Sequence, residues 1–239
     1  MIRLVQIVLV HSGVTDSGEW EAVRPLLEER HSVVTPDLPG YGSTPLPPGE
    51  HSLAEFVLSS FAGEAALVGT SFGGRAELEA ALAAPERVTH LVLVSANPFG
   101  WSEEVQAISA EEDELFDGAR YDEAADLMVR AWVDGPKRGP DEVAPALRDR
   151  VQAMLLRAYE LQAGVEASPR RVELDLSRIH APALIVRGDL DWPDVERAAA
   201  RFVAELSDAR EVVIEGVAHL PAIERPDELA RVVLEFLDH

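Results

Sequence analysis

Ala65-Ala66-Leu67-Val68-Gly69-Thr70-Ser71-Phe72-Gly73-Gly74, continued by Arg75-Ala76-Glu77-Leu78-Glu79-Ala80-Ala81-Leu82, decides the fold. Its first half is a short apolar run of strand length and its second half is an Ala-rich helix. The corner between them, Gly69-Thr70-Ser71-Phe72-Gly73, is a G-x-S-x-G pattern. Glycines on both sides of the serine leave space where Cβ atoms would obstruct a strained strand-to-helix turn, and such a turn holds the hydroxyl in the open. The helix that starts there aims unpaired backbone N–H groups at the corner, so the Phe72 amide is placed to stabilise negative charge beside Ser71.

Upstream, Val5-Gln6-Ile7-Val8-Leu9-Val10 is an apolar strand that runs into the loop His11-Ser12-Gly13. Trp20, Val23, Leu26 and Leu27 at helical spacing predict a helix over 19–30, and Ser32-Val33-Val34-Thr35 a second strand. The turn-rich stretch Asp37-Leu38-Pro39-Gly40-Tyr41-Gly42-Ser43 leads through Pro45, Pro47 and Pro48 to a short helix over 52–61. Downstream, 88–95 is a further buried strand, and strands alternating with helices imply a parallel sheet.

The alternation then stops. Over 97–177 no strand signal is present, and helices are predicted over 102–116, 122–133 and 142–163, with breaks at Gly135-Pro136 and Gly139-Pro140. The sheet resumes with Ala183-Leu184-Ile185-Val186-Arg187 and Gly188-Asp189-Leu190-Asp191, then a helix over 194–206. A last strand over 211–214 runs into Gly216-Val217-Ala218-His219, and a helix over 226–237 closes the pattern. The organisation expected is an α/β core of residues 1–96 and 178–239 and an inserted helical lid of residues 97–177.

The chain has 239 residues, 47% of them hydrophobic, which suits a large α/β domain carrying an insertion. Its 43 acidic against 21 basic residues give a formal net charge of −22, which argues against nucleic acid and anionic membrane as partners. The absence of cysteine excludes disulfides, thiolate metal sites and a cysteine nucleophile. The apolar run near the start lacks a cleavage site and is too short to span a membrane, so a cytoplasmic protein is expected. The acidic run over 103–117 is expected to be a solvated face.

Ligands of doubly wound sheets bind outside the carboxyl ends of the strands, where His11 to Gly13, Ser71, Gly188 to Asp191 and His219 all lie. A serine needs a base within hydrogen-bond reach, and the base needs a group to fix its tautomer. The order serine, acid, histidine is the one expected for a G-x-S-x-G corner. Asp189, Asp191 and Asp194 are all near the strand end, and Asp189 and Asp191 share one face of an extended segment, so geometry alone does not choose among them.

Together these pieces resemble the α/β-hydrolase fold superfamily: His11-Ser12-Gly13 with Trp20, the loop from Asp37 to Ser43, the Ser71 corner, Pro85-Glu86-Arg87-Val88, Gly188-Asp189-Leu190-Asp191, and Gly216-Val217-Ala218-His219 with Glu224-Arg225-Pro226. The long insertion is similar to the lid of enol-lactonase-like esterases and carbon–carbon bond hydrolases. The resemblance implies an α/β-hydrolase fold, a mostly parallel doubly wound sheet with an inserted helical lid. It implies Ser71 as nucleophile, His219 as general base, Asp191 as the acid by the family's G-x-x-D spacing, and the Gly13 and Phe72 amides as an oxyanion hole. His11, Trp101, Met128, Trp132 and Tyr159 are the expected pocket residues, with His11 chiefly a support for the oxyanion loop.

The activity expected is hydrolysis of a carboxylic ester or lactone through an acyl-serine, with no metal or organic cofactor and a compact, neutral small-molecule substrate. A carbon–carbon hydrolase of the same fold and a receptor that keeps the triad are the alternatives. The chain departs from the family in Ser12 for a usual glycine, in Thr70 for a frequent histidine, and in a short helix before the corner. Its first strand also arrives almost at Met1. That leaves the 32–35 strand as the expected sheet edge, to be covered by a loop or paired in a dimer, so that monomer and homodimer are both open.

Overall fold

The computed structural model describes residues 4–238. In chain order the sheet strands and their helices are β1 Gln6–Val10, α1 Arg24–Glu28, β2 Ser32–Val34, β3 Gly49–His51, α2 Leu53–Ser59, β4 Ala65–Thr70, α3 Phe72–Ala83 and β5 Val88–Val94. Then come α4 Glu103–Asp117, α5 Tyr121–Met128, α6 Pro145–Gln162, β6 Ala167–Pro169, β7 Ala183–Gly188, α7 Pro193–Glu205, β8 Ala209–Ile214, α8 Pro221–Glu224 and α9 Pro226–Leu237. The main sheet has six strands in the order β2-β1-β4-β5-β7-β8, and every pair is parallel.

β4 and β5 occupy the centre and are apolar on both faces, as parallel strands covered by helices must be. Leu67, Leu91, Leu93 and Ile185 face α2, α3 and α7 on one side. Val68, Val92, Val94 and Leu184 face α1 and α9 on the other, around the fully buried Trp20. A doubly wound sheet of this kind brings the carboxyl ends of β1, β4, β7 and β8 to one rim.

Three departures from the sequence pattern have physical causes. The helix expected over 19–30 is broken into a 3₁₀ turn at Ser17–Trp20 and the short α1, because Pro25 has no N–H to continue the ladder and stands in the first turn of the second piece. The stretch read as free of strands contains β6, which pairs in parallel with β3 through Gly49 opposite Ala167 and His51 opposite Pro169. Each of these strands is three residues long, and they join segments far apart in the chain, so neither carries a local signal. The third helix of the insertion ends at Gln162, and the chain returns to the core through β6 and loops.

β2 is an edge of the sheet, and among the described residues no antiparallel strand extends it. It is kept short, and Val33 on it is buried, both of which limit pairing with a second sheet. No helix of the described residues is long and apolar enough to cross a membrane.

Candidate active site

Ser71 caps α3 with φ 52° and ψ −109°, left-handed backbone that a non-glycine residue adopts at a cost of about 1–3 kcal/mol. Two close approaches hold it there. A Cβ on Gly73 would stand 2.4 Å from the Val10 carbonyl oxygen, and one on Gly69 would stand 2.6 Å from the Gly73 carbonyl carbon. Only glycine lets α3 pack this tightly against the ends of β1 and β4. The Ser71 amide donates to the Val94 carbonyl at 2.8 Å, which extends the β4–β5 ladder to the corner itself. Phe72 is the first residue of α3, so its amide has no intrahelical acceptor.

The loop after β1 is organised by its own side chains. The Val14 amide donates to Ser12 Oγ at 3.3 Å, Ser12 Oγ lies 2.9 Å from Thr15 Oγ1, and Thr15 Oγ1 donates to Glu19 Oε2 at 2.5 Å. The Ser12 amide closes the ring by donating to the same Glu19 oxygen at 2.8 Å. The serine that replaces a usual glycine is thus a structural member of the turn. Gly13 comes out facing the corner: a Cβ there would lie 3.4 Å from Phe72 Cβ.

His11 sits beneath this loop and outside the cavity wall. Its Nε2 accepts the Leu38 amide at 2.9 Å, which leaves Nδ1 to donate to the Ser12 carbonyl at 2.7 Å. Both ring nitrogens are therefore used, and burial lowers its pKa, so it stays neutral. The expectation that His11 contributes to the pocket is corrected: it joins the β1 loop to the Leu38 segment.

His219 follows β8 and is buried. Its Nδ1 lies 3.0 and 2.9 Å from the two carboxylate oxygens of Asp191. A carboxylate only accepts, so Nδ1 carries the proton and Nε2 keeps its lone pair. The three aspartates after β7 have separate tasks. Asp189 Oδ1 accepts the Gly216 and Val217 amides at 2.6 and 3.3 Å and shapes the histidine loop. Asp194 accepts the Ser102 amide and hydroxyl at 2.8 and 3.0 Å and pins the start of α4.

Ser71, His219 and Gly13 open on one cavity of about 380 Å³ between the sheet rim and the inserted helices. Trp101, Met128, Trp132 and Tyr159 line it. The Trp132 ring packs on His219 with centroids 4.4 Å apart. It is carried by a π-helical turn, Val129–Asp134, that prolongs α5, an irregularity that often marks a functional position. The turn is fixed from below by Trp192, whose Nε1 donates to the Ala131 carbonyl at 2.9 Å. Arg138 donates to the Val133 and Asp134 carbonyls and to Glu224 Oε2 at 2.6 Å, while Glu224 Oε1 accepts the Ala218 amide at 3.0 Å. The insertion is thereby tied to the residue before His219.

The cavity wall is less apolar than the sequence suggested, because Glu112 and Asp113 of α4 line it with Tyr41 and Gln162. Tyr159 Oη donates to Glu112 Oε1 at 2.6 Å. Burial raises the Glu112 pKa, and burial raises that of Tyr41 to about 12. The signal for Glu112 was present in the spacing: Val105, Ile108, Glu112 and Leu115 share one helix face, so the acidic run includes one member on the inner stripe.

A model of the family described as the alpha/beta hydrolase family matches residues 7–232. The chain belongs to the alpha/beta hydrolase family. Within that family it is 28% identical over 245 residues to a pimeloyl-[acyl-carrier protein] methyl ester esterase of Aeromonas hydrophila, covering 97% of this chain and 94% of that one. Over a shorter stretch of 101 residues, 38% of this chain and 37% of the other, it is 39% identical to a 2-hydroxy-6-oxo-2,4-heptadienoate hydrolase of Pseudomonas putida. In fold this hydrolase-family chain is similar to the crystal structure of the enol-lactonase from Burkholderia xenovorans LB400, with a TM-score of 0.80 at 21% identity, covering 99% of this chain and 92% of that one.

Proposed function

We propose that this chain is a serine hydrolase that cleaves a carboxylic ester or lactone through an acyl-Ser71 intermediate. The observation that carries the reading is the buried Asp191–His219 pair opening on the same cavity as a serine held in left-handed backbone at a helix N-terminus. His219 Nε2 takes the Ser71 hydroxyl proton as Oγ bonds to the substrate carbonyl carbon. The carbonyl oxygen becomes an oxyanion facing the Gly13 and Phe72 amides. Collapse breaks the bond to the leaving oxygen, which takes the proton from His219. Water, deprotonated by the same nitrogen, then releases the acid and restores Ser71. Asp191 keeps the imidazole in its tautomer and stabilises the imidazolium.

A cavity of about 380 Å³ suits a compact substrate. The similarity to pimeloyl-[acyl-carrier protein] methyl ester esterases supports an ester of a small alcohol. The test is covalent labelling of Ser71 by a fluorophosphonate, together with a burst and steady multiple turnover on a panel of short-chain esters, aryl esters and lactones. Steady turnover absent in Ser71→Ala is the expected result. Labelling without steady turnover would assign a binding role, and no labelling would remove Ser71 as nucleophile.

A further inference from the structure

Ser71 borders a second concavity. A groove of about 510 Å³ is lined by Phe72, Arg75, Asn97, Ser168 and Arg171, and it shares Ser71 and Trp101 with the cavity. The two spaces have opposite electrostatic character. The cavity carries Glu112 and Asp113, whereas the groove is lined by two guanidinium groups and no carboxylate. In a chain with 43 acidic and 21 basic residues, an acid-free concavity beside the serine is not what composition alone would produce.

The two arginines are held differently and line the same groove. The Arg75 amide donates to the Ser71 carbonyl at 3.1 Å, which fixes the residue one helical turn beyond the serine on the same face. Its Nε donates to Glu79 Oε1 at 3.0 Å, so the guanidinium is oriented through one nitrogen while its terminal nitrogens have no hydrogen-bond partner among the described residues. Arg171 follows β6, and the β3–β6 ribbon gives that otherwise irregular segment a fixed place, closed by the Arg170 amide donating to the His51 carbonyl at 2.7 Å. The neighbouring Arg170 side chain is taken by Glu50 at 3.4 Å, whereas Arg171 has no ion-pair partner among the described residues.

We propose that the substrate of Ser71 carries an anionic substituent, a carboxylate or a phosphate, held in this groove by Arg75 and Arg171 while the neutral remainder fills the cavity; this rests on the ester-hydrolase reading above. Guanidinium groups bind such oxyanions through paired charge-assisted hydrogen bonds. Asp113 on the cavity wall disfavours the same group there, which favours one sense of binding across Ser71.

Binding is measured by calorimetry on the Ser71→Ala protein, where no turnover intervenes. The ligands are matched pairs: monomethyl adipate against methyl hexanoate for the carboxylate, and acetoxyhexyl phosphate against hexyl acetate for the phosphate. The expected result is tighter binding of at least one anion by about tenfold. That preference should weaken at high salt and collapse toward one when Arg171→Gln is added. Adding Arg75→Gln should collapse it similarly; the exposed Arg171 position keeps the test valid should Arg75→Gln disturb the corner. Wild-type kcat/KM ratios for the same pairs should follow the binding ratios. Equal binding of anionic and neutral members in both pairs, or a preference that survives both substitutions, overturns the groove assignment. Preserved preference in binding with no turnover of any ester would instead overturn the hydrolase reading and leave the groove standing.

Discussion

Trp132 lies with its ring centroid 4.4 Å from that of His219, tilted 45° to it, and Trp101 stands 5.2 Å from Trp132 and 6.4 Å from His219, so the three rings form one cluster. The inserted helices therefore touch the imidazole itself as well as roofing the space above it. This contact limits rotation of the ring about the Asp191 hydrogen bond and keeps water from that face.

Replacing Trp132 by Ala is expected to lower kcat by about a hundredfold through lost positioning. Trp132→Phe should keep most of the rate, since it retains an aromatic face. The truncation will also cost about 3–5 kcal/mol of stability, so kcat is compared at a temperature well below the Tm of each variant. Equal kcat values for Trp132→Ala and Trp132→Phe would show that the ring does not position His219.

What could be recognised in the sequence was set by which signals are local. The buried strands announce themselves as unbroken apolar runs, because a parallel sheet covered on both faces asks for nothing polar. The Ser71 corner is equally plain as a motif: the 2.6 Å approach of Gly69 to the Gly73 backbone lies within it, although the 2.4 Å approach of Gly73 is to Val10 on β1, distant in the chain. The β3–β6 ribbon, the π turn under Trp132 and the link from Arg138 through Glu224 to Ala218 depend on partners distant in the chain. No window of sequence holds both halves of such a contact. The choice among Asp189, Asp191 and Asp194 was hidden for a different reason: all three are carboxylates within one short loop, and only the rotation of that loop decides which meets the imidazole.

Glu77 supplies a second prediction. It is fully buried on α3 beneath the corner, its carboxyl within 2.7 Å of where a Cβ on Gly69 would be, and neither oxygen has a hydrogen-bond partner among the described residues. Burial raises its pKa well above the ordinary carboxylate value. An acid whose pKa is higher in the folded than in the unfolded state holds its proton when folded and loses it more readily when unfolded. Stability is therefore lost as pH rises from the unfolded value, about 4.3, toward the folded one, at up to about 1.4 kcal/mol per pH unit for this one group. Glu77→Met, unbranched and uncharged, should gain on the wild type as pH is raised from about 5 to 8. Urea unfolding curves at several pH values measure the gap, and a gap independent of pH would mean that Glu77 ionises without penalty.

The last prediction separates Asp189 from Asp191 in the turn that follows β7. Asp191 holds His219 Nδ1 through both oxygens and also accepts the Trp192 amide through Oδ1 at 2.8 Å. In Asp191→Asn the side chain gains an N–H₂ group that can donate to Nδ1, which favours the tautomer protonated at Nε2 and removes the lone pair that takes the serine proton in the proposed mechanism. The expected loss in kcat is about 10⁴-fold with little change in fold. Asp189 works through the backbone, accepting the Gly216 and Val217 amides with a single oxygen. An asparagine there retains an accepting oxygen, so Asp189→Asn should lower stability by about 1 kcal/mol, as a charged acceptor is exchanged for a neutral one, and leave kcat within a few-fold. The pH profile of kcat distinguishes the roles further: residual activity in Asp191→Asn should rise with pH as hydroxide replaces the missing base, whereas Asp189→Asn should keep the wild-type profile. Near-normal turnover in Asp191→Asn with collapse in Asp189→Asn would transfer the orienting role to Asp189, against the distances of 2.9 and 3.0 Å that link His219 to Asp191.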